Sequence, residues 1–302
     1  MAQRLNLKRL VLCCTFIFSA YVAAQNVDTI VTVQRKAGNT DAIPAENVLV
    51  FEGGKRTPTI VWKPCTESNS ALLLMILIDD SSGGSLSGQL NDIRAFIQKL
   101  PDTTLVAVGY MLNGGANMIQ KFTKDHELAA KSLRLPQSIR GGGSPYFSLS
   151  QVAKQWPSQV GVRHEILMIT DGVDRYGGVE FNSNNPNVQG AIRDAQRASI
   201  AVYSIYWRGA GALDADPAVV AAGQNYLSQV TTDTGGKSLY WGTGNPVSLV
   251  PILGELNGIL MNQYELGFTV RTKPQYGLVT LRLKIEQPGI KLVAPASVPV
   301  PQ

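Results

Sequence analysis

The stretch of sequence that decides the fold is ILIDDSSGGSL, residues Ile76 to Leu86. It overlaps the apolar run LLLMILI, Leu72 to Ile78, which is typical of a strand buried on both faces of a parallel sheet. Apolar residues then recur at spacings of three and four, as on one face of a helix: Leu86, Leu90, Ile93, Ile97 and Leu100. Strand, glycine turn and helix in this order predict the first unit of a doubly wound α/β sheet.

The same alternation continues along the chain and predicts one large domain over residues 67–262. Apolar strands are predicted at Leu105–Leu112, Glu165–Thr170 and Ala201–Trp207, with amphipathic helices between them. Strands that alternate with helices indicate a mainly parallel, Rossmann-like sheet with helices on both faces.

Segments with β-type alternation flank this domain on both sides. Residues 25–66 contain three short predicted strands, and a β hairpin is predicted over residues 263–292. We expect the hairpin to pair with the N-terminal segment in a small β module. Residues 293–302, VAPASVPVPQ, are rich in proline and are expected to form a flexible tail.

The first 24 residues are typical of a secretory signal peptide. Arg4, Lys8 and Arg9 precede an apolar run, Leu10 to Ala23, and cleavage is expected before Gln25. The run is shorter than the roughly 20 residues that a membrane span needs, which argues against an uncleaved anchor. The sequence therefore predicts an exported protein, periplasmic, at the cell surface or extracellular, with no membrane span after cleavage.

The charge balance gives little reason to expect nucleic-acid binding. The chain has 27 Lys and Arg against 22 Asp and Glu, a net charge of +5. Three basic residues lie in the predicted signal peptide, so 24 remain against 22 acidic residues, a net charge of +2. Of the three cysteines only Cys65 remains after cleavage, which excludes an intramolecular disulfide and leaves its role open.

Polar side chains cluster at three places where ligands are expected in a doubly wound sheet. Asp79 and Ser81 follow the first core strand, Ser144 precedes a predicted helix, and Asp171 follows the strand EILMIT. In such sheets ligands bind beyond the carboxyl ends of the strands, where the strand order reverses. Carboxylate and hydroxyl oxygens suit Mg²⁺ or Mn²⁺ better than zinc.

The order of these clusters resembles a von Willebrand factor A (vWA) domain. Asp79-x-Ser81, then GGGS with Ser144, then ITDG with Asp171 match the pattern that forms the metal-ion-dependent adhesion site (MIDAS) of such domains. The phrases VLVFEGGKR and QYELGF, together with the signal peptide, are most similar to the bacterial secreted group called the VWFA-related Acidobacterial domain. The resemblance covers nearly the whole chain after residue 24.

This resemblance implies a protein-binding module rather than an enzyme. It implies that Asp79, Ser81, Ser144 and Asp171 hold Mg²⁺ or Mn²⁺, which engages an acidic side chain of a partner protein. Gly83 departs from the pattern, because it stands where the family has a second serine. Ser82 and Ser85 are candidate substitutes for the missing oxygen, and water is another, since Mg²⁺ normally keeps several waters.

Other interpretations of the same residues stay open. Asp and Ser after a strand are ordinary turn and helix N-cap residues, so the metal site could be degenerate and the protein a metal-independent interaction or structural module. A phosphoaspartyl-type hydrolase also places an Asp after its first strand, but it needs a second Asp where this chain has Ser81. Adjacent Asp79 and Asp80 also suggest a response-regulator receiver, which export argues against.

Two loops are expected to border the proposed site. Residues 172–187 follow Asp171, and residues 207–217 follow the next strand along the chain. Their content of Gly, Asn and Asp predicts solvated surface loops, and their position predicts a rim for contact with a partner.

Overall fold

The computed structural model of the protein describes residues 25–66, 71–137, 143–157, 159, 161–178, 180–209 and 216–301. The predicted signal peptide lies outside these residues, as do parts of the loop before Ser144 and of the loop after Trp207. No helix in the described ranges is long and apolar enough to cross a membrane.

The strands are, in chain order, β1 (Gln25–Arg35), β2 (Val48–Glu52), β3 (Lys55–Thr57), β4 (Thr59–Pro64), β5 (Leu72–Asp79), β6 (Thr104–Leu112), β7 (Gly115–Thr123), β8 (Arg163–Thr170), β9 (Ile200–Tyr206), β10 (Ser238–Tyr240), β11 (Gln263–Val270), β12 (Leu278–Ile285), β13 (Ile290–Val293) and β14 (Ser297–Pro299). The α-helices are α1 (Leu90–Gln98), α2 (His126–Ser132), α3 (Pro145–Lys154), α4 (Pro186–Arg197), α5 (Pro217–Asp233) and α6 (Val250–Leu260). Two 3₁₀ segments cover Ala45–Asn47 and Asp80–Gln89.

A six-stranded sheet forms the centre of the molecule, in the order β10-β9-β8-β5-β6-β7. Strand β5 pairs in parallel with β6 on one side and with β8 on the other. Strand β7 runs antiparallel at the edge beside β6. The chain proceeds outward from β5 to β7, returns to β8 and proceeds outward again to β10. The prediction of a mainly parallel, doubly wound sheet is therefore confirmed, and the strand order reverses between β5 and β8.

Apolar helices cover both faces of this sheet. Helices α1, α2 and α6 pack on one face, where Ile76 and Ile78 point, and α3, α4 and α5 pack on the other, where Met75 and Leu77 point. All the residues of β5 except Asp79 are buried, as its continuous apolar sequence predicts. The sheet is thus a fixed platform from which Asp79 projects at the carboxyl end.

The segments at the two chain ends form a β sandwich rather than a single small sheet. One sheet has the order β13-β1-β11-β4 and the other has the order β14-β12-β2-β3. Apolar residues of both sheets share one core, including Val31, Val50, Phe268, Leu281 and Val298.

The predicted hairpin over residues 263–292 is wrong. Strand β11 pairs with β1 and β4, whereas β12 pairs with β2 and β14, so the two strands belong to different sheets. Both do pair with the N-terminal segment, as expected. Alternation of period two gives each strand one apolar face, but it does not determine which strand will be its neighbour.

The prediction of a flexible tail over residues 293–302 is also wrong for the described part, which ends at Pro301. Strand β14 pairs with β12, and the side chains of Val298 and Val300 are buried in the sandwich core. Pro295 forms an isolated bridge to Thr234, next to the end of α5. The prolines are tolerated because β14 is an edge strand.

Candidate functional site

A polar crevice lies at the carboxyl edge of the central sheet, beside the place where the strand order reverses. Three of the four predicted ligand residues, Asp79, Ser81 and Ser144, line it together with Arg175, which the sequence interpretation did not identify. The crevice is lined by Asp79, Ser81, Met111, Leu112, Asn113, Gly114, Gly143, Ser144, Pro145, Ser148 and Arg175. The position is the one expected for a ligand site in a doubly wound sheet.

Hydrogen bonds fix the Asp79 carboxylate at the end of β5. Its Oδ1 accepts from the backbone N–H of Ser81 at 2.9 Å and from the Ser81 hydroxyl at 2.7 Å. Its Oδ2 accepts from the hydroxyl of Thr170, at the end of β8, at 2.7 Å. Asp79 therefore does cap the 3₁₀ segment, as the simpler interpretation allowed, and it also faces the crevice. Thr170 is a functional neighbour that the sequence pattern did not single out.

The Ser144 hydroxyl reaches the crevice because its loop packs tightly against the turn between β6 and β7. A Cβ on Gly143 would lie 2.4 Å from the backbone nitrogen of Gly114, so only glycine fits this contact. Ser144 is buried and is the N-cap of α3, where its hydroxyl accepts from the N–H of Tyr146 at 3.3 Å. Ser144, like Asp79, therefore both caps a helical segment and lines the crevice.

Asp171 lies at the end of β8 but does not line the crevice as a free ligand. Its Oδ2 accepts from Nη2 of Arg175 at 2.6 Å, and its Oδ1 accepts from Nη1 of Arg175 at 3.2 Å and from the N–H of Val173 at 2.9 Å. Burial raises the pKa of Asp171 to about 6; the hydrogen bonds and charge of Arg175 lower it, and the negative charge of Asp79 raises it. Both oxygens of Asp171 are thus occupied by Arg175.

The loop that follows Asp171 is buried at its start, over residues 172–174, and exposed at residues 176–178 and 180–184, as a surface loop is. Asp174 is fully buried, and its carboxylate accepts from the amides of Asn185 and Asn187, both at 2.8 Å, and from the N–H of Gly177 at 3.1 Å. Burial raises the pKa of Asp174, but these bonds and one from the Ser144 hydroxyl outweigh it, so the pKa lies below its usual value. The solvated-loop prediction is wrong for residues 172–174 because Asp174 anchors the loop from inside.

The two candidate substitutes for the missing oxygen at Gly83 do not line the crevice. The hydroxyl of Ser82 donates to the backbone oxygen of Asp79 at 2.7 Å. The hydroxyl of Ser85 donates to the backbone oxygen of Ser82 at 2.6 Å and accepts from the indole N–H of Trp207 at 2.9 Å. Both hydroxyls stabilise the turn at the strand end, and the proposal that they replace the second serine is not supported.

The donor set fits a divalent cation in part. Asp79, Ser81 and Ser144 offer a carboxylate and two hydroxyls in one crevice, and Mg²⁺ readily fills further positions with water. Asp171 does not fit as it stands, because both of its oxygens are bound to Arg175. Within the described ranges, no three His, Cys, Asp or Glu side chains are grouped so that they could hold a metal ion. A cation bound in this crevice would be coordinated mainly by hydroxyl oxygens and by the carboxylate of Asp79.

Comparison with known proteins finds solved structures with a similar fold. No protein-family model matches the sequence, and no curated protein matches it. An aerotolerance-related membrane protein from Bacteroides fragilis is 15% identical over 63% of this chain and 98% of that chain, with a TM-score of 0.46. The vWF domain of a type V pilus tip protein from Porphyromonas gingivalis is 12% identical over 63% and 94%, with a TM-score of 0.44.

A further solved structure, the manganese-loaded TRAP protein of Plasmodium vivax, is 10% identical over 81% of this chain and 96% of that chain, with a TM-score of 0.44. The solved structures with similar folds include proteins described as VWA or vWF domains, the class that the sequence resembles. At these identities the likeness concerns the fold.

Proposed function

We propose that the protein is an exported vWA-type interaction module that binds an acidic side chain of a partner protein at the polar crevice. In this proposal Asp79, Ser81 and Ser144 hold a divalent cation, Mg²⁺ or Mn²⁺. The observation that supports it most is the convergence of three oxygen-bearing side chains, from two separate segments of the chain, on one crevice at the strand-order reversal. Export rests on the N-terminal sequence, and membership of the Acidobacterial group stays a prediction.

The charges around the crevice favour a cation over direct contact with an acidic partner. Asp79, Asp171 and Asp174 lie at or next to the crevice, and Arg175 is the positive side chain among the described residues that line it. The excess of carboxylates would repel an incoming carboxylate. A divalent cation, when bound, would supply the missing positive charge and an open coordination position for the partner.

The rim of the crevice offers an area for partner contact. Tyr176, next to Arg175, is 72% exposed and packs edge-on against Phe147 of α3, with ring centroids 5.0 Å apart. Phe181, further along the same loop, is 47% exposed. Exposed aromatic rings beside a charged centre are common at sites where proteins bind each other.

The Asp79 environment favours binding over hydrolysis. Ser81 occupies the place where a phosphoaspartyl-type hydrolase needs its second Asp, and its hydroxyl donates to Asp79. Asp79 also accepts from Thr170, so the carboxylate is held in position as an acceptor. We therefore propose a module without enzymatic activity.

Calorimetric titration of the purified protein with MnCl₂ tests the metal part of this proposal. We expect saturable binding of one Mn²⁺ that is reversed by EDTA and lost in Asp79→Ala. Asp125→Ala is the matched control, because Asp125 also caps a helix through a carboxylate–N–H bond, to Leu128 at 2.9 Å, but lies outside the crevice. Binding that persists unchanged in Asp79→Ala would refute the assignment.

One observation favours a second candidate, in which the same surface binds partners without a metal. Arg175 already holds Asp171, as expected of a degenerate site. Once a partner is identified, its binding should then be unchanged by EDTA and by Asp79→Ala, whereas the metal-dependent proposal expects both treatments to abolish it.

A further inference from the structure

We propose that Arg175 is a built-in competitor of the divalent cation: its guanidinium holds Asp171 and must release it for tight cation binding. This inference rests on the proposed function. It adds a residue outside the vWA pattern and assigns to it control of the cation affinity of the crevice.

The contacts of Arg175 place its charge where a cation would compete with it. Both terminal nitrogens bind Asp171, at 2.6 and 3.2 Å, and the same side chain lines the crevice with Asp79 and Ser144. The charge of Asp79 acts on Asp171, so the two carboxylates lie within electrostatic reach of each other. A guanidinium bound to Asp171 in the same crevice as Asp79 occupies a region of negative potential that would attract a divalent cation.

The loop geometry allows Arg175 to leave without unfolding the site. The preceding residue, Asp174, is fully buried and anchored by Asn185 and Asn187, whereas the following residue, Tyr176, is largely exposed. The Arg175 side chain is itself 23% exposed. The residue before Arg175 is therefore fixed while the Arg175 side chain borders solvent, so we expect Arg175 to leave Asp171 by rotation of its side-chain torsions.

Electrostatics set the direction of the effect. A guanidinium near the crevice repels a divalent cation, and its bonds to Asp171 remove a carboxylate from the donor set. Removing the guanidinium should therefore tighten cation binding by about tenfold or more.

The test is the dissociation constant for Mn²⁺, measured by calorimetry and by the electron paramagnetic resonance signal of free Mn²⁺, in the wild-type protein and in Arg175→Ala. We expect tighter binding in Arg175→Ala by at least about tenfold. Arg197→Ala is the matched control, because Arg197 also pairs with an aspartate close in sequence, Asp194 at 3.2 Å, but lies on α4 away from the crevice. In Arg175→Ala/Asp171→Ala the gain over the wild-type protein should disappear, because this variant loses the guanidinium and the carboxylate together.

The outcomes separate this inference from the proposed function. Equal affinity of the wild-type protein and Arg175→Ala would overturn the role of Arg175 while leaving the metal site in place. Absence of Mn²⁺ binding in both proteins, with both folded by circular dichroism, would overturn the metal site itself and this inference with it. A gain that persists without Asp171 would show that Arg175 does not act through that carboxylate, which also overturns the proposal.

Discussion

Two aspartate–arginine pairs lie at the same edge of the central sheet, and they have different surroundings. Asp80 binds Arg134 through both oxygens, at 2.7 and 2.8 Å, and Asp171 binds Arg175 through both oxygens, at 2.6 and 3.2 Å. Both aspartates are buried. The pairs therefore share their chemistry and differ in what surrounds each arginine.

Arg134 is held by contacts to a second segment of the chain, although its side chain is as exposed as that of Arg175, 29% against 23%. Its guanidinium lies 3.9 Å from the centre of the Tyr110 ring, and its backbone N–H and carbonyl both bond to the Tyr110 hydroxyl, at 2.9 and 2.6 Å. Asp80 also accepts from the N–H of Gln137 at 2.8 Å. The two partners are 54 residues apart in sequence, so this pair ties separate segments together. Arg175, by contrast, pairs within its own loop and borders the crevice, which suits an exchangeable contact.

The largest expected difference comes from breaking the two pairs separately. Arg134→Ala should lower the free energy of unfolding by about 4 kcal/mol, because it leaves the Asp80 charge buried without its partner. Arg175→Ala should cost less, about 2 kcal/mol, because Asp171 keeps its bond from the N–H of Val173 and this pair joins residues only four apart in sequence. Urea unfolding of both variants measures the difference, and equal losses would contradict the distinction between the two pairs.

The second prediction concerns Gly223, which packs against the backbone of Asp171. A Cβ on Gly223 of α5 would lie 2.1 Å from the backbone oxygen of Asp171, so Gly223→Ala must displace one of the two segments. We expect a loss of about 3 kcal/mol in urea unfolding. Gly254→Ala is the control, because a Cβ placed on this helical glycine meets no atom within 4 Å outside its own helix backbone and chain neighbours. That variant should be stabilised by about 0.5 kcal/mol or more. If Gly223→Ala leaves the free energy of unfolding unchanged, the end of β8 is not tightly packed.

A smaller effect is expected at the opposite edge of the sheet, where Glu165 is buried at the start of β8. Burial raises its pKa from 4.5 to about 7, and Arg163, Gln263 and Tyr203 lower it only in part. The folded protein therefore retains this proton at a pH where the unfolded chain has lost it. The contribution of Glu165 to stability is then largest at low pH and decreases as the pH rises through 4.5 toward 7.

Glu165→Gln removes this dependence, because the amide resembles the protonated carboxyl. The free energy of unfolding of the variant minus that of the wild-type protein should rise by on the order of 2 kcal/mol from pH 5 to pH 8. Urea unfolding at both pH values measures it, with the exposed Glu127→Gln as control. A difference between variant and wild type that does not change with pH would contradict the raised pKa.

The central fold could be predicted from the sequence because it depends on local patterns. The apolar run of β5 and the spacing of Leu90, Ile93 and Ile97 specify a buried strand and a helix face, and both are observed. The α-helix begins at Leu90, so Leu86, predicted to open it, lies in the 3₁₀ segment instead. The alternation of strands and helices along the chain was sufficient to predict a doubly wound α/β sheet. The crevice position followed from the same reasoning, since Asp79, Ser81 and Ser144 do meet at the carboxyl edge.

The features that the sequence did not reveal depend on contacts between distant segments. Pairing of β11 and β12 with different sheets, and burial of Val298 in the tail, are decided by which apolar faces meet in three dimensions. The role of Arg175 depends on a turn that brings it back to Asp171. An arginine four residues after a ligand aspartate was the available signal, but composition alone suggested only a solvated loop.

The most direct test of the account is a crystal structure of the protein grown with MnCl₂, with anomalous diffraction used to locate the metal. The account predicts one anomalous peak in the crevice at coordination distance from Asp79, Ser81 and Ser144, with the Arg175 guanidinium displaced from Asp171. A crevice without a peak, or a peak there with the Asp171–Arg175 pair intact at its present 2.6 Å, would contradict it.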